Sequence, residues 1–373
     1  MKIAVDLTKL LPGGGNGGIK KTIFSFLDGV RKVSQEKIVY AFLCNAATKE
    51  EVAERAQAHD FIWCVQDDVG GSIGEGSWLK VDDRFLRENE VDLLYLPFGE
   101  DRFGGGRYPA VRLLGDFLHA VYPEGLPIEV VEYRAKYFKE SVESGAAIQV
   151  ISKDVRDRLL SSFSLDPSRV FLTYHPIGLD EFSRYQGGER ASIETYFIYP
   201  ANFWMHKNHR RLLDAFARFV SGEGMEKYHL YFTGHPDAMM EEMKLYANEL
   251  SLGDHVRFQG YVSLETYKKL LWQAKALVFP SLNEGFGIPI LEAMAMGVPV
   301  MCSAVTALPE IAGKGALFFD PYQTDGILTA LRQMATDEDL GQQMIEKGKE
   351  NLSRFSFEED CQNLLRAFRS VIE

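Results

Sequence analysis

The sequence predicts an α/β protein of two domains, each built on a mostly parallel sheet. Short apolar runs recur along the chain and alternate with segments whose apolar residues fall at helical spacing, the pattern of βα units. At 373 residues the chain is longer than one hydrophobic core ordinarily spans, so two cores are expected. Gln186-Gly187-Gly188-Glu189-Arg190 reads as a linker by composition and supplies a place to divide them.

Composition narrows the class. Hydrophobic residues at 46% and charged residues at 25% are those of an ordinary globular protein. With 41 basic and 53 acidic residues the net charge is −12. No general positive field exists to release counterions from nucleic acid, so no nucleic-acid partner is expected. Nor is there an overall attraction to anionic lipid, a local basic patch aside. Cys44, Cys64, Cys302 and Cys361 are scattered, with no C-x-x-C, so neither a zinc site nor a disulfide framework is expected. Met1 to Asp6 enters a strand directly, without a signal peptide's long apolar segment. No run reaches transmembrane length. The expected location is cytoplasmic.

In chain order, Ile3–Leu7 reads as the first strand. A glycine-dense loop, Leu11 to Ile19, leads to a helix with Ile19, Ile23, Phe26, Leu27 and Val30 on one face. Strand, glycine loop and helix can present backbone amides to phosphate, with a plain turn as the simpler alternative. The loop is neither G-x-G-x-x-G with a following acidic residue nor G-K-[ST], which removes support for nicotinamide and triphosphate readings. Val39–Cys44 and Phe61–Val65 are strands around a charged helix from Lys49 to Gln57. Gly70–Gly76 is a surface loop, and Gly104-Gly105-Gly106 a turn between strands Asp92–Pro97 and Val111–Asp116. Asp116 and His119 lie just past a strand's carboxyl end, where open α/β sheets keep their sites; an Asp cap and a surface His are the plainer alternative. A helix over Glu129–Ser144 carries Val130, Tyr133, Tyr137 and Phe138 on one side. Tyr133, Arg134, Lys136 and Tyr137 could face an acceptor or a membrane, although a packed amphipathic helix explains them more simply. Ala147–Ile151 is a strand, Ser152 caps a helix through Phe163, and Val170–Pro176 ends the first half.

The second half begins with strand Thr195–Asn202. Lys207 sits just before a helix with Leu212, Leu213, Phe216 and Phe219 inward, where a lysine is a fitting point charge for a diphosphate. His229–Thr233 ends in Gly234, a turn suited to close approach of a ligand. Helices to Leu250 and over Leu264–Ala274 bracket a strand at Val256–Val262. Ala276–Phe279 and Val298–Cys302 are buried strands enclosing the most informative stretch, Pro280 to Gly297. Pro289 opens a short helix and Gly297 closes it. Gly285 and Gly287 leave bare backbone amides at its start, a place for an anion, with Glu284 before it and Glu292 within it. An anion between two carboxylates suggests a sugar nucleotide. Phe318-Phe319-Asp320-Pro321 ends the last strand, and helices run over Asp325–Met334, Glu338–Leu352 and Phe357–Ile372. The one D-x-D, Asp337 to Asp339, reads as a helix start rather than a metal site.

The Glu284–Glu292 stretch closely resembles the nucleotide-sugar signature of the retaining glycosyltransferases of family 4, E-G-F-G-x-P-x-x-E. The resemblance covers nearly the whole chain; it is strongest over Ala276–Pro321, clear around Lys207-Asn208 and loose in the N-terminal half. It implies the GT-B fold, two Rossmann-like domains facing across a cleft. These would be an acceptor-binding domain at 1–186, a nucleotide-sugar domain at 193–355, and a helix at 356–373 returning to the first, with Phe355, Phe357, Leu364, Phe368 and Val371 as its apolar face. It implies retaining transfer of a mannose- or glucose-type hexose from an NDP-sugar, such as a GDP- or UDP-hexose, to a hydroxyl of a glycan or lipid-linked saccharide. No metal or other cofactor is implied, and peripheral association with the inner face of a membrane is compatible with it. By resemblance, Glu292 would take ribose hydroxyls and Glu284 the donor sugar. Lys207 and the backbone at Gly285, Phe286 and Gly287 would stabilise the departing diphosphate, with Gly17, Gly18 and Gly234 close to the donor. Asp116 or His119 would orient the acceptor, while the donor phosphate takes its proton. Two positions depart from the family: Gly115 stands where a histidine is usual, and Asn202 where an arginine is usual, so that Asn202 or His206 would have to serve in its place. These departures motivate an alternative reading, a non-catalytic GT-B subunit that binds nucleotide sugars.

Overall fold

The computed structural model describes residues 1–12, 16, 18–65, 81–103, 107–175, 178–185 and 195–373. Gly17, the glycine segments at 70–76 and 104–106, and the 186–190 linker lie outside the described residues. The chain forms two compact units: Met1–His119 with Ile128–His175 and Phe357–Glu373, and Ala120–Pro127 with Pro176–Ser356. The division falls at His175, before the glycine-rich linker, and a short piece following His119 groups with the second unit.

Among the described residues the first unit carries seven strands: β1 (Lys2–Leu7), β2 (Val39–Cys44), β3 (Phe61–Cys64), β4 (Leu93–Leu96), β5 (Ala110–Leu114), β6 (Ala147–Val150) and β7 (Val170–Leu172). Their order is β3-β2-β1-β4-β5-β6-β7, and all neighbours are parallel. Every residue of β4, β5 and β6 is buried. That is why these strands read as largely apolar runs, interrupted only by the buried Arg112 and Gln149: a parallel sheet is covered on both faces. Around it lie α1 (Ile19–Val33), α2 (Lys49–Ala53), α3 (Asp83–Glu88), α4 (Leu118–Val121), α5 (Ile128–Glu143) and α6 (Lys153–Ser162). α1 buries Ile23, Phe26, Leu27 and Val30, the face its spacing predicts. Ser152 caps α6 by accepting from the Val155 amide at 3.2 Å.

Two expectations fail locally. The helix expected over Lys49–Gln57 ends at Ala53. Asp60 turns the following segment into β3, its carboxylate accepting from the Gln57 amide at 2.8 Å and the Tyr40 amide at 2.9 Å. In α5 only Phe138, Ser141 and Val142 are buried, whereas Val130 and Tyr133 are exposed, so the helix is packed only toward its C-terminal half.

In the second unit α7 (Leu179–Ser183) precedes β8 (Tyr196–Pro200), followed by α8 (His209–Val220), β9 (His229–Thr233), α9 (Ala238–Glu249), β10 (Val256–Phe258), α10 (Leu264–Gln273), β11 (Ala276–Phe279), α11 (Ile288–Ala295), β12 (Val300–Ser303), α12 (Leu308–Ala312), β13 (Ala316–Phe319), α13 (Thr324–Thr336) and α14 (Glu338–Leu352). The strand order is β10-β9-β8-β11-β12-β13, again all parallel. Counted within the unit this is the 3-2-1-4-5-6 order of a doubly wound nucleotide-binding sheet. Asp337 caps α14, accepting from the Leu340 amide at 2.8 Å, which is the structural role read for the D-x-D.

The last helix, α15 (Phe357–Arg369), belongs to the first unit. It stops before the expected Ile372, and it packs Phe357 on Phe26 and Phe368 on Tyr95, ring centroids 5.3 Å apart in both pairs. Asp360 ties it to the end of β7 by accepting from the Tyr174 amide at 2.8 Å, while its second oxygen is buried without a hydrogen-bond partner. Burial, opposed by the Tyr174 bond and aided by Glu359, pushes its pKa up to about 7. Between about pH 4 and 7 the folded state therefore holds a proton that the unfolded chain has released, so stability falls as pH rises through that window and levels off above it. Asp360→Asn should unfold at the same temperature as wild type near pH 4. At pH 8 it should be more stable by about 2–3 kcal/mol, part of the burial cost being offset by the helix N-terminus. Thermal unfolding across pH checks this.

Candidate active site

In the second sheet the strand order reverses between β8 and β11, the switch point where a doubly wound sheet opens a crevice. The loops leaving these two strands are joined there. The Leu282 amide donates to the His206 carbonyl at 2.7 Å. Tyr199, buried on β8, donates to the Lys207 carbonyl at 2.9 Å and shares a 3.0 Å hydrogen bond with Ser281. Asn208, at φ +63, donates to the carbonyls of Pro280 and Pro321 at 3.0 and 2.9 Å.

This framework brings Lys207 and Glu284 together. The Lys207 ammonium meets the Glu284 carboxylate at 2.6 Å, each side chain only 12% exposed. The Glu284 amide donates to the Thr306 hydroxyl at 3.1 Å. Thr306 itself sits at φ +51, a costly conformation for a β-branched residue and one concentrated at functional sites. Gly285, Phe286 and Gly287 follow, all buried. Gly287 has φ +106 as the N-cap of α11, and a Cβ there would lie 2.8 Å from Leu308. Pro289 stands in the first turn and Gly297 ends the helix at φ +66, as their positions predict. One turn on, Glu292 accepts from the Tyr267 hydroxyl of α10 at 2.7 Å. Burial, then the Glu292 charge, drives the Tyr267 pKa well up, so it stays a donor.

The remaining expected donor residues have structural duties as well. The Asn202 side chain accepts from the His235 amide at 2.9 Å, tying the loop after β8 to the loop after β9. Asn202, expected among the donor-binding residues, thus tethers these two loops. Gly234 donates to the Gly260 carbonyl at 3.0 Å and leaves no room for a Cβ. His206 is buried, with the exposed Trp204 ring 5.7 Å from its own.

In the first unit Gly18 is the N-cap of α1, and its carbonyl accepts from Thr22. Asp116 accepts from the Leu118 amide at 2.8 Å and forms an ion pair with Arg134, combining cap and charge partner. His119 is buried, its ring 4.6 Å from Phe138 and 5.9 Å from Phe117. Burial and then the Arg134 charge, against Asp116, bring its pKa down to about 4, so the imidazole is neutral at physiological pH. A Cβ on Gly115 would meet nothing nearer than Ile151 at 3.7 Å, so packing does not require glycine there.

Sequence reasoning missed several members. Tyr199, Ser281, Thr306 and Tyr267 brace the Lys207–Glu284–Glu292 set, yet nothing in local periodicity separates them from core or surface residues. At the switch point of the first sheet, between β1 and β4, Lys9 pairs with Glu100 and donates to the Tyr133 hydroxyl at 2.7 Å. Burial lowers the Lys9 pKa, but Glu100 and Tyr133 hold it above its ordinary value. The exposure of Tyr133 belongs to this polar cluster. Among the described residues no group of three or more His, Cys, Asp or Glu could hold a metal ion. No helix among them is long and apolar enough to cross a membrane.

The two doubly wound sheets are those of the GT-B fold, and with the relatives that follow they make the protein a glycosyltransferase, an enzyme that moves a sugar from an activated donor. Residues 186–351 match the family model of the glycosyl transferases group 1. It is 29% identical over 282 residues to the O-antigen chain mannosyltransferase B of Escherichia coli, spanning 74% of this chain and 72% of that protein. It is 28% identical over 216 residues to the O-antigen chain mannosyltransferase RfbU of Salmonella typhimurium, 57% of each chain. Among solved structures, Anabaena HepE in complex with UDP-glucose superposes with a TM-score of 0.73 at 15% identity, covering 99% of this chain and all of that one (100%).

Proposed function

We propose that the protein transfers a hexose, mannose before glucose, from a nucleoside-diphosphate donor to a hydroxyl of a glycan or lipid-linked saccharide, with retention of anomeric configuration. The Lys207–Glu284 pair at the β8/β11 switch point, beside the N-terminus of α11, carries this reading. A diphosphate at that helix end would meet backbone amides of Gly285, Phe286 and Gly287 and draw Lys207 onto its oxygens. Glu284 is then freed to accept from donor-sugar hydroxyls. Glu292, oriented by Tyr267, would accept from the ribose diol. The relatives named above as O-antigen mannosyltransferases favour mannose and a place in polysaccharide biosynthesis, and HepE with UDP-glucose favours a nucleotide-sugar donor.

Retention follows most simply from a front-face reaction. The donor phosphate accepts the proton of the attacking hydroxyl as the glycosidic bond to the diphosphate breaks, so no protein nucleophile is consumed. The acceptor is assigned to the N-terminal unit, with Asp116, neutral His119 and the Lys9–Glu100–Tyr133 cluster as its polar contacts. No metal ion enters these steps. We infer cytoplasmic work, with lipid-linked acceptors reached at the inner membrane face.

The test is nucleotide release from GDP-mannose, GDP-glucose, UDP-glucose and UDP-galactose with mannose-terminated saccharides and a polyprenyl-diphosphate-linked saccharide as acceptors. The product linkage is read by NMR. Turnover with a GDP- or UDP-hexose that persists in EDTA and gives an α-linked product is expected. An inverted linkage would overturn the retaining assignment. No turnover with any donor, alongside nucleotide binding that survives Glu284→Ala, would overturn the site.

A further inference from the structure

Cys44 and Cys64, separated by a helix and two loops in sequence, meet in the first sheet. They are register partners at the carboxyl ends of the parallel strands β2 and β3, with sulfur atoms 4.0 Å apart. Cys44 is buried and Cys64 half-buried, and both are thiols. We propose that they form a modification site: a dithiol that closes to an intrachain disulfide on meeting a disulfide-class oxidant such as glutathione disulfide.

The geometry permits closure with little backbone movement. Adjacent strands run about 4.7–4.9 Å apart, within the Cα separations of about 4.4–6.8 Å that disulfides bridge. The sulfurs must approach from 4.0 Å to about 2.0 Å, a change that side-chain rotation supplies. The roles of the two sulfurs differ. Burial and the neighbouring Cys64 push the Cys44 thiol up to about 12, so it is a poor first nucleophile. Cys64 is the sulfur an oxidant reaches. Its thiolate attacks glutathione disulfide, forming a mixed disulfide and releasing one glutathione thiolate. Cys44 then gives up its proton and displaces the second glutathione. Two electrons pass from the protein to the oxidant, which leaves as two thiols. The bridge pins β3, an edge strand whose one sheet neighbour among the described residues is β2, and closes the chain around α2. The site is independent of the transferase reading.

The experiment equilibrates the full-length protein in glutathione buffers of graded composition, quenches with acid, alkylates free thiols and maps peptides by mass spectrometry. A single transition joining Cys44 to Cys64 is expected, reversed by excess reduced glutathione, while Cys302 and Cys361 stay alkylatable only after unfolding. The oxidised form should unfold about 3–6 °C higher. C44S should stop at a glutathione adduct on Cys64, and C64S should leave Cys44 unmodified. A persistent Cys64 adduct in the wild-type chain, linkage between molecules, or both thiols unchanged at full oxidation would each overturn the proposal. The wild-type arm decides the matter even if a serine variant folds poorly.

Discussion

Lys207→Ala should lower the rate of sugar transfer by about 10²–10³-fold, the usual cost of removing one group that stabilises charge developing on a leaving group. The loss should fall mainly on kcat, because the diphosphate gains its negative charge as the glycosidic bond breaks. A second effect accompanies it. Glu284 is only 12% exposed and loses its partner at 2.6 Å, so the folded state should weaken by about 1–3 kcal/mol. Lys207→Arg keeps the charge but offers a planar fork where a point charge fits, and should recover only part of the rate. Because Lys207 and Glu284 act on one another, Lys207→Ala with Glu284→Ala should lose much less than the product of the two single losses. Nucleotide release and thermal unfolding, measured on the same preparations, separate rate from stability. A Lys207→Ala enzyme within a few-fold of wild type in kcat would remove Lys207 from the mechanism.

The largest effect on stability is expected at Gly234. A Cβ there would lie 2.3 Å from the Ala201 carbonyl oxygen, 2.9 Å from its carbon and 3.2 Å from the Asn202 Cα. These are backbone atoms, which cannot step aside as the end of a side chain can. Gly234→Ala must push the loop after β9 away from the loop after β8. That strains the Asn202–His235 bond and the Gly234–Gly260 bond together. A loss of about 2–4 kcal/mol is expected, a fall of roughly 5–12 °C in Tm for a unit of this size. Gly224→Ala is the control. Gly224 has φ +78 but nothing within 4 Å of a Cβ, so it should cost only the conformational strain, about 1 kcal/mol. A loss at Gly234 no larger than at Gly224 would show that the close approach to Ala201 is relieved at little cost. Because Asn202 lies in the same contact, Gly234→Ala should also raise KM for the donor.

Much of the local structure was legible in the sequence, although the short helices α3 and α7 were not and α2 ends earlier than its pattern suggests. The thirteen strands among the described residues are found where apolar runs stand, or in β9 and β13 where such runs meet a turn. Ser152 and Asp337 cap their helices, Pro289 and Gly297 bound α11, and Lys207 stands just ahead of α8, because caps and periodicity depend on neighbours a few positions away. The motif from Glu284 to Glu292 is of the same kind: a loop, a glycine N-cap and a helix turn set its spacing. Tertiary structure alone decided which of these pieces touch. Lys207 and Glu284 form an ion pair because β8 and β11 are adjacent in the sheet, and no periodicity encodes strand order. Other adjacencies gave Asn202 a tether's role between the loops after β8 and β9, set Tyr267 of α10 on Glu292 of α11, assembled Lys9, Glu100 and Tyr133 at the β1/β4 switch, and paired Cys44 of β2 with Cys64 of β3. Local patterns fix where the backbone can hydrogen-bond to itself. Burying both faces of a parallel sheet fixes the order in which strands lie side by side, and that order decides which charges meet.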